Sequence, residues 1–400
     1  MKSPLAWYYV DRKKSINACL SYKLNISEFP DHKKICDIMK QLSDYYPGLR
    51  STLKPGFLGS VSLLDNDEAN VFYRDQVFAD LEEFAVSETN FNFKQGDRLY
   101  YVALTKFSDG KVGIAFNGHH LVADAVVQEA ISEVFLSWIL EGKEFDLKSF
   151  RESKTFTISR KGKSSPIDWI RFVLLFVHDY FSYMKKIPKR KKGNKTLLHK
   201  ITIDKDKMPS SDKTRTNALL CGAFMKVFGE TLAFGNSSVK TIHMVNVRTD
   251  SYDRNSPDFA SSMVSALTVN QKVGEPLKTV AEKNLYYFRR SFKYSIAHLT
   301  SDLQYYFFRT VDLLKLGHVC HLCFSNTEKI DSTILRRFSK IDDVIGIPSL
   351  GKNSPYMTVI LIDKPKSWGI NVVYLENYFS KSQLLEIDEQ LKKSLYELTS

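Results

Sequence analysis

Two histidines and one aspartate lie within six residues of the chain, at His119, His120 and Asp124. A neutral imidazole titrates close to physiological pH. It can therefore take the proton from a hydroxyl or an amine as that group attacks a carbonyl carbon. This set of side chains predicts general-base catalysis of acyl transfer.

The elements that must position these side chains are predicted from the residues around them. Segments 98–107 and 112–116 are rich in apolar and β-prone residues, and the turn residues 108–110 separate them, which predicts a β-hairpin. Apolar residues then recur at helical spacing, at Val122, Val126, Ala130 and Val134. Because neighbouring side chains of an extended segment point to opposite faces, one histidine can face a cavity and the other must pack.

Two other interpretations of the motif remain. The histidines could be a chance pair among the nine in the chain, or they could be two ligands of a metal site that Asp124 completes. The opposed directions of His119 and His120 argue against joint metal binding, and no further cluster of His or carboxylate residues lies close by in the sequence. No metal site is therefore predicted.

The motif resembles the His-His-x-x-x-Asp-Gly signature of one acyltransferase superfamily. Its members include chloramphenicol acetyltransferase, peptide-synthetase condensation domains, BAHD acyltransferases and polyketide-associated acyltransferases. Further segments resemble that superfamily in the same order along the chain: Tyr46–Ser51, Gly96–Leu99, Thr216–Leu220, His243–Arg248 and Leu322–Asn326. The BAHD branch is disfavoured, because Lys366-Ser367-Trp368-Gly369 stands where that branch carries Asp-Phe-Gly-Trp-Gly.

The resemblance implies a role for each residue of the motif. His120 would be the general base that activates the acceptor, and His119 would be structural. Asp124 would turn away from the substrate and form an ion pair with Arg248.

The resemblance also implies a substrate channel, lined by Gly118, Ala125, Ser325 and Asn326. Ser325 and Asn326 could help to polarise the carbonyl group, or they could be scaffold. The chain departs from the signature at Ala125, where the family has glycine. The added methyl group could narrow the channel or shift the start of the helix.

Length and composition predict the fold class. A chain of 400 residues, 43% of them hydrophobic, can bury a core large enough for two domains. Helices are predicted at 31–45, 122–140, 217–234, 278–299 and 380–398, and strands at 18–24, 240–247, 319–324, 357–362 and 369–374. Their mixture in both halves predicts the α/β class, with mixed α+β character.

The resemblance implies how these elements are arranged. Two chloramphenicol-acetyltransferase-like lobes would each have a mixed sheet covered by helices, with the active-site channel between the lobes. The predicted division is an N-terminal lobe at 1–155, an inter-lobe amphipathic helix with a basic linker at 156–196, and a C-terminal lobe at 197–400.

Residues 166–187 form an unusually apolar segment. Asp168, Arg171, His178 and Asp179 argue against a membrane-spanning helix, which needs about 20 mostly apolar residues. At 100° per residue these polar side chains share one stripe, which predicts an amphipathic helix, and the basic run 185–192 follows directly. The segment 166–192 could attach to an anionic membrane surface, or the helix could pack on the protein and leave the basic run as a solvated linker. The sequence leaves both alternatives open.

A formal net charge of +12 suits anionic partners. Coenzyme A, or the phosphopantetheine arm of an acyl carrier protein, fits both the charge and the resemblance as a thioester co-substrate, and no permanently bound cofactor is predicted. Nucleic acid is excluded, because no zinc-finger, helix-turn-helix or RNA-binding signature accompanies the charge. The predicted location is cytoplasmic, because no secretory signal is evident, and peripheral at the inner membrane face if 166–192 binds lipid.

The predicted function is transfer of an acyl group from acyl-coenzyme A or an acyl carrier protein to a hydroxyl or amine acceptor. The acceptor would be lipidic if the helix contacts a membrane. Two alternatives stay open. The chain could be a condensation-domain-like enzyme that strictly depends on carrier proteins, or a non-catalytic descendant that binds a partner or a membrane.

Overall fold

A computed structural model of the chain describes residues 16–55, 61–64, 71–94, 96–120, 122–144, 146, 166–182, 184–209, 212–232, 235–246, 264–289, 318, 320–326, 334–351 and 354–398. The chain divides into two compact units. The first unit contains the described residues of 1–158 and 329–351. The second contains those of 159–247, 264–328 and 352–400.

The secondary structure follows the predicted pattern. The strands are β1 (Asn17–Leu24), β2 (Thr52–Pro55), β3 (Val61–Leu64), β4 (Val71–Tyr73), β5 (Tyr100–Lys106), β6 (Val112–His119), β7 (Thr196–Asp204), β8 (Ser238–Asn246), β9 (Val264–Lys272), β10 (Leu322–Asn326), β11 (Ile341–Pro348), β12 (Met357–Asp363) and β13 (Ser367–Leu375). The α-helices are α1 (His32–Tyr45), α2 (Leu81–Thr89), α3 (Ala125–Glu141), α4 (Pro166–Phe181), α5 (Lys213–Leu232), α6 (Leu277–Arg289) and α7 (Lys381–Tyr396). Each predicted helix and strand overlaps one of these elements. The predicted helix 278–299 continues beyond Arg289 into residues outside the described part of the chain.

The first unit contains a five-stranded sheet in the order β11-β1-β6-β5-β4. Neighbouring strands are antiparallel except for β4 and β5, which are parallel. The predicted hairpin is confirmed as the pair β5 and β6, whose register places Tyr100 opposite Gly118. Helix α2 packs against β1 and β11, and α3 packs against β1 and β6.

One strand of this sheet comes from far along the chain. The end of the β1–β11 pair is fixed by Asn17, whose N–H donates to the Ser349 hydroxyl oxygen at 2.7 Å across a separation of 332 positions. The Ser349 N–H in turn donates to the Asn17 carbonyl oxygen at 2.9 Å. The sequence-based division assigns β11 to the C-terminal lobe at 197–400, whereas the structure places it in the sheet of the first unit. Pairing over such a distance leaves no local signal in the sequence.

The second unit contains a six-stranded sheet in the order β7-β13-β12-β10-β8-β9. Strand β10 is parallel to both β12 and β8, and the other neighbours are antiparallel. Helix α5 packs against α6, α7 and β8. Both units therefore combine a mixed sheet with helices, which confirms the predicted α/β class with two mixed sheets.

Helix α4 is shorter than the predicted segment, because it ends at Phe181 rather than near 187. None of the helices in the described part of the chain combines the length and the hydrophobicity that crossing a bilayer would require.

A buried polar network includes Asn117, near the end of β6. The Asn117 side-chain amide donates to the Tyr101 hydroxyl at 2.6 Å and to the Glu88 carbonyl oxygen at 2.7 Å. The Glu88 carboxylate accepts hydrogen bonds from the Tyr101 hydroxyl at 2.8 Å and from two nitrogens of the Arg74 guanidinium at 2.7 and 2.9 Å. Burial raises the pKa of Tyr101 well above its usual range, so this phenol stays protonated and keeps its role as a donor. The network joins α2 to two neighbouring strands.

Replacing the Glu88 carboxylate should weaken the first unit. In Glu88→Ala the Arg74 guanidinium and the Tyr101 hydroxyl lose their common acceptor, so we expect the free energy of unfolding in urea to fall by about 3 kcal/mol. Glu133→Ala is the matched control, because Arg337 keeps its hydrogen bond to Glu141 when the exposed Glu133 pair is removed. That variant should lose less than about 1 kcal/mol. Equal losses in the two variants would contradict the structural role of Glu88.

Candidate functional site

The two histidines lie at the end of strand β6, where their backbone N–H groups bond to different neighbouring strands. The His119 N–H donates to the Leu99 carbonyl at 2.7 Å, on the β5 side, and the His120 N–H donates to the Ile16 carbonyl at 2.8 Å, on the β1 side. The backbone hydrogen bonds therefore alternate between the two neighbouring strands up to the point where the turn begins, at His120. This alternation agrees with side chains that leave the strand on opposite faces.

The two imidazoles have different surroundings. His119 is buried, and its ring meets the Phe93 ring edge to face, with 6.1 Å between ring centroids. His120 is only half-buried, in the turn that follows β6. His120 therefore keeps part of its surface exposed, whereas His119 keeps almost none. Their catalytic and structural roles stay predictions.

A tight turn joins β6 to α3 and ends at Asp124. The His119 carbonyl accepts hydrogen bonds from the N–H groups of Val122 at 2.9 Å and Ala123 at 3.2 Å. The Asp124 carboxylate then accepts from the Val127 N–H at 3.2 Å, as an N-cap residue does at the start of a helix. Asp124 is only 1% exposed, and its predicted orientation away from substrate stays a prediction. Arg248, its predicted partner, lies outside the described residues.

Helix α3 approaches the hairpin most closely at Gly118. A Cβ atom at this position would lie 2.7 Å from Tyr100 Cδ2, 2.8 Å from Ala123 Cβ and 3.1 Å from Gln128 Nε2. Gly118 is itself buried. The absence of a side chain here allows the start of α3 to lie against β5 and β6.

Gln128 holds this contact in place and was not identified from the sequence. Its side chain accepts from the Tyr100 hydroxyl at 3.0 Å and donates to the Ala18 carbonyl at 2.8 Å, so it ties α3 to β5 and β1. A signal was present, because Gln128 follows the apolar residues Ala125, Val126 and Val127 at the start of α3, and a buried amide needs hydrogen-bond partners.

Asn17 is a second supporting residue that sequence reasoning missed. It lies opposite His119 in the register of β1 and β6. Its side-chain amide donates to the Phe91 carbonyl at 2.5 Å and to the Thr89 carbonyl at 3.4 Å. Asn17 thereby connects the end of β6 to the loop that carries Phe93, against which His119 packs.

The other predicted site residues lie at the start of α3 and on β10. Ala125 is the first residue of α3 and is half-buried. A helical backbone is open to any residue, and alanine is the best helix former, so the substitution of the family's glycine requires no distortion of the chain here. Ser325 is half-buried on β10 of the second unit, and Asn326 is the last residue of that strand. Their assignment to a channel stays a prediction.

A half-buried histidine, His120, stands at the end of a strand, and backbone hydrogen bonds to Leu99 and Ile16 hold that strand end in place. A neutral imidazole can accept a proton from a polar substrate. The buried side-chain amides of Asn17 and Gln128 join the elements around this histidine through hydrogen bonds. Among the described residues, no group of three or more His, Cys, Asp or Glu side chains is placed to hold a metal ion.

Comparison with solved structures shows the same fold in proteins of low sequence identity. The condensation domain from Monacolin K polyketide synthase MokA has a TM-score of 0.60 at 11% identity, over 96% of this chain and 92% of that chain. TRI101 from F. sporotrichioides, solved with coenzyme A and T-2, has a TM-score of 0.58 at 12% identity, over 98% of this chain and 96% of that chain. The X-domain from teicoplanin biosynthesis has a TM-score of 0.60 at 11% identity, over 99% of this chain and 93% of that chain, and has also been solved in complex with OxyB.

No family model and no curated protein matches the chain. The structural likeness nevertheless extends over nearly the whole sequence. The chain therefore has the fold that these condensation domains share with TRI101, which confirms in fold the resemblance inferred from the His119–Asp124 motif. At these identities the likeness establishes the fold, and the activity requires an argument from the site itself.

The contact at Gly118 can be tested with a single methyl group. Gly118→Ala places that group closer than van der Waals distance to Tyr100 and Ala123, so we expect the free energy of unfolding to fall by about 1–3 kcal/mol. Gly346→Ala is the matched control in a strand of the same sheet, because its new Cβ would meet only Leu20 Cδ1, at 3.5 Å. Chemical denaturation should show no loss for the control. A Gly118→Ala variant as stable as wild type would show that α3 does not depend on this contact.

Proposed function

We propose that this protein is an acyltransferase that moves an acyl group from a thioester to a hydroxyl or amine acceptor, with His120 as the general base. The observation that carries the proposal is the half-buried His120 at the end of β6, next to a buried His119. The fold shared with condensation domains and TRI101 supports it.

The proposed reaction has a single addition and a single elimination. The acceptor gives its proton to neutral His120 while its oxygen or nitrogen forms a bond with the thioester carbonyl carbon. The carbonyl oxygen becomes the oxyanion of a tetrahedral intermediate, for which Ser325 and Asn326 are the proposed polar neighbours. As the intermediate collapses, the carbon–sulfur bond breaks and the imidazolium returns its proton to the departing thiolate. Atoms and charges balance without a covalent acyl-enzyme.

The proposed donor is a thioester of coenzyme A or of carrier-bound phosphopantetheine. TRI101 was solved with coenzyme A, which supports the first source, and the likeness to condensation domains supports the second. The excess of 57 Lys and Arg over 45 Asp and Glu residues favours a phosphate-bearing donor in either case. Gly118 and Ala125 are the proposed neighbours of the substrate beside His120.

Removal of the imidazole should abolish most of the activity. Wild-type protein is incubated with a panel of acyl-coenzyme A and acyl-carrier thioesters in a cell extract, and products are found by mass spectrometry while released thiol is measured. We expect His120→Ala to lower the rate of acyl transfer by about a hundredfold or more, because the acceptor then loses its base.

The matched control for this experiment is His32→Ala, which removes an exposed imidazole from α1. It should keep full activity. A product formed equally by wild type and His120→Ala would overturn the role of His120. Product formation from carrier-bound donors alone would select the strictly carrier-dependent form of the enzyme.

We also propose that Asp124 forms the predicted ion pair with Arg248. The Asp124 carboxylate is 1% exposed, and a cationic partner stabilises a buried negative charge. The resemblance of the His119–Asp124 motif to the acyltransferase signature supports Arg248 as that partner. The pair would fix the turn that directs His120, so both residues would act by positioning the base.

Asp124→Asn distinguishes an ion-pairing role of Asp124 from a role in helix capping alone. Asparagine caps helices as well as aspartate does, so a residue that only caps would tolerate the change. The proposed ion pair instead predicts that Asp124→Asn lowers the free energy of unfolding by about 3 kcal/mol, as Arg248→Ala does, since each variant removes one charge of the pair. A double-mutant cycle in urea measures the coupling. Independent, additive effects would contradict the pair.

A second candidate function is binding without catalysis. It is favoured by the likeness to the teicoplanin X-domain, which has been solved in complex with another protein, OxyB. In this case His120→Ala would leave the biological activity unchanged, and no acyl thioester would be consumed by wild type. The acyl-transfer assay therefore distinguishes the two candidates.

A further inference from the structure

Helix α4 presents a continuous aliphatic stripe to solvent. Ile167, Ile170, Leu174 and Val177 are 77%, 57%, 66% and 46% exposed, respectively. At 100° per residue, these four positions fall within an arc of about 80° on one side of the helix. Monomeric proteins scatter exposed hydrophobic residues singly, so a stripe of this kind indicates an interaction surface.

The opposite side of α4 is anchored to the second unit. The buried Asp179 carboxylate accepts a hydrogen bond from the Tyr287 hydroxyl of α6 at 2.8 Å. One turn on, the Ser182 hydroxyl accepts from the Asn270 amide of β9 at 3.2 Å. Burial raises the pKa of Tyr287, so its phenol stays protonated and holds the bond. The helix therefore cannot turn its aliphatic stripe inwards without breaking these contacts.

This orientation differs from the one expected for an amphipathic helix. The sequence pattern places Asp179 in the polar stripe and Val177 on the opposite, apolar side of the helix. In the structure Asp179 is buried and Val177 is exposed. The side chains of Trp169, Phe172, Phe176 and Tyr180, which also belong to the predicted apolar face, lie outside the described residues.

A basic segment follows α4 directly and is fixed on the surface of the same unit. Its buried Ile187 donates its N–H to the Tyr356 hydroxyl at 2.9 Å, and the Arg190 N–H donates to the Asn377 carbonyl at 2.6 Å. The cationic residues of this segment are exposed: Lys185, Lys186, Lys189, Arg190, Lys191 and Lys192. Arg190 also donates to the Gln383 side-chain oxygen at 2.5 Å, and the Lys191 ammonium lies 3.9 Å from the Glu376 carboxylate. No Asp or Glu occurs in the sequence between Asp179 and Asp204. The segment is thus a fixed basic surface and not a loose linker.

We infer that the aliphatic stripe of α4 and the basic segment 185–192 together bind the surface of an anionic phospholipid bilayer. Aliphatic side chains from a helix lying in the interface enter the boundary between headgroups and acyl chains, while adjacent Lys and Arg residues attract anionic headgroups. Neither signal alone gives stable attachment, and here the two are consecutive in the chain. The inference is independent of the proposed acyl transfer, because none of these residues belongs to the His120 site.

Vesicle binding by the full-length protein tests the inference. Wild type should co-sediment with phosphatidylcholine vesicles that contain about 30% phosphatidylserine, and not with pure phosphatidylcholine vesicles. Ile170→Ser/Leu174→Ser should weaken binding by about tenfold or more, because the stripe then has less apolar surface to bury. Lys186→Gln/Lys191→Gln/Lys192→Gln should weaken it by about a hundredfold, at roughly fivefold for each of the three charges lost.

Matched controls show whether vesicle binding depends on this surface or on exposed aliphatic and cationic side chains anywhere on the protein. Val77→Ser/Val273→Ser removes two exposed aliphatic side chains from other elements, and Lys33→Gln/Lys34→Gln/Lys40→Gln removes three exposed charges from α1. Both should bind vesicles as wild type does. All the substituted positions are exposed, so thermal unfolding midpoints should stay close to that of wild type, which excludes misfolding as the cause of a loss.

Several outcomes would overturn the inference. The wild type does not bind anionic vesicles, or the stripe variants bind them as tightly as wild type does, or the basic-segment variants bind them as tightly as their controls do. Self-association of wild type that Ile170→Ser/Leu174→Ser abolishes, without vesicle binding, would assign the stripe to a second copy of the chain. Binding of an acidic carrier protein in place of vesicles would assign it to that partner. His120→Ala should bind vesicles normally, so failure of the proposed function and failure of this inference remain distinguishable.

Discussion

The close approach of α3 to the hairpin at Gly118 is the constraint on which the candidate site depends. Without a side chain at Gly118, Ala123 and Gln128 reach the strands, and Gln128 can bond to both Tyr100 and the Ala18 carbonyl. The start of α3 is thereby fixed against the sheet. Because the turn from β6 to α3 is only a few residues long, the helix start also fixes the direction in which His120 leaves the strand.

Much of this geometry could be predicted from the sequence, because it depends on local patterns. A turn between two β-prone segments predicts the hairpin, and the twofold alternation of a strand predicts that His119 and His120 face opposite ways. The start of α3 follows from the periodic apolar residues and from Asp124, a good N-cap residue. Each of these signals lies within a few residues of the feature that it predicts.

The features that could not be predicted depend on partners far away in the sequence. Strand β11 joins β1 across 332 positions, and Asp179 meets Tyr287 across 108. A helix such as α4, whose apolar residues cover more than half of its circumference, does not show by its own pattern which arc will pack. The hydrogen bond from the Tyr287 hydroxyl determines which arc packs, because it holds the Asp179 carboxylate in a buried position. The aliphatic residues on the far side are then left in water.

That arrangement leaves the aliphatic stripe of α4 in contact with water, which is unfavourable. Burial of the stripe by another surface would remove this cost. A bilayer can cover it without a dedicated protein partner, and the adjacent cationic residues supply the long-range attraction. If acyl transfer and membrane attachment both hold, they narrow the substrates of the enzyme. An acyl chain or an acceptor that partitions into the bilayer is concentrated at the surface where the enzyme resides, whereas a small polar acceptor gains nothing from attachment. The surface of α4 therefore favours a long-chain donor or a lipidic acceptor for His120.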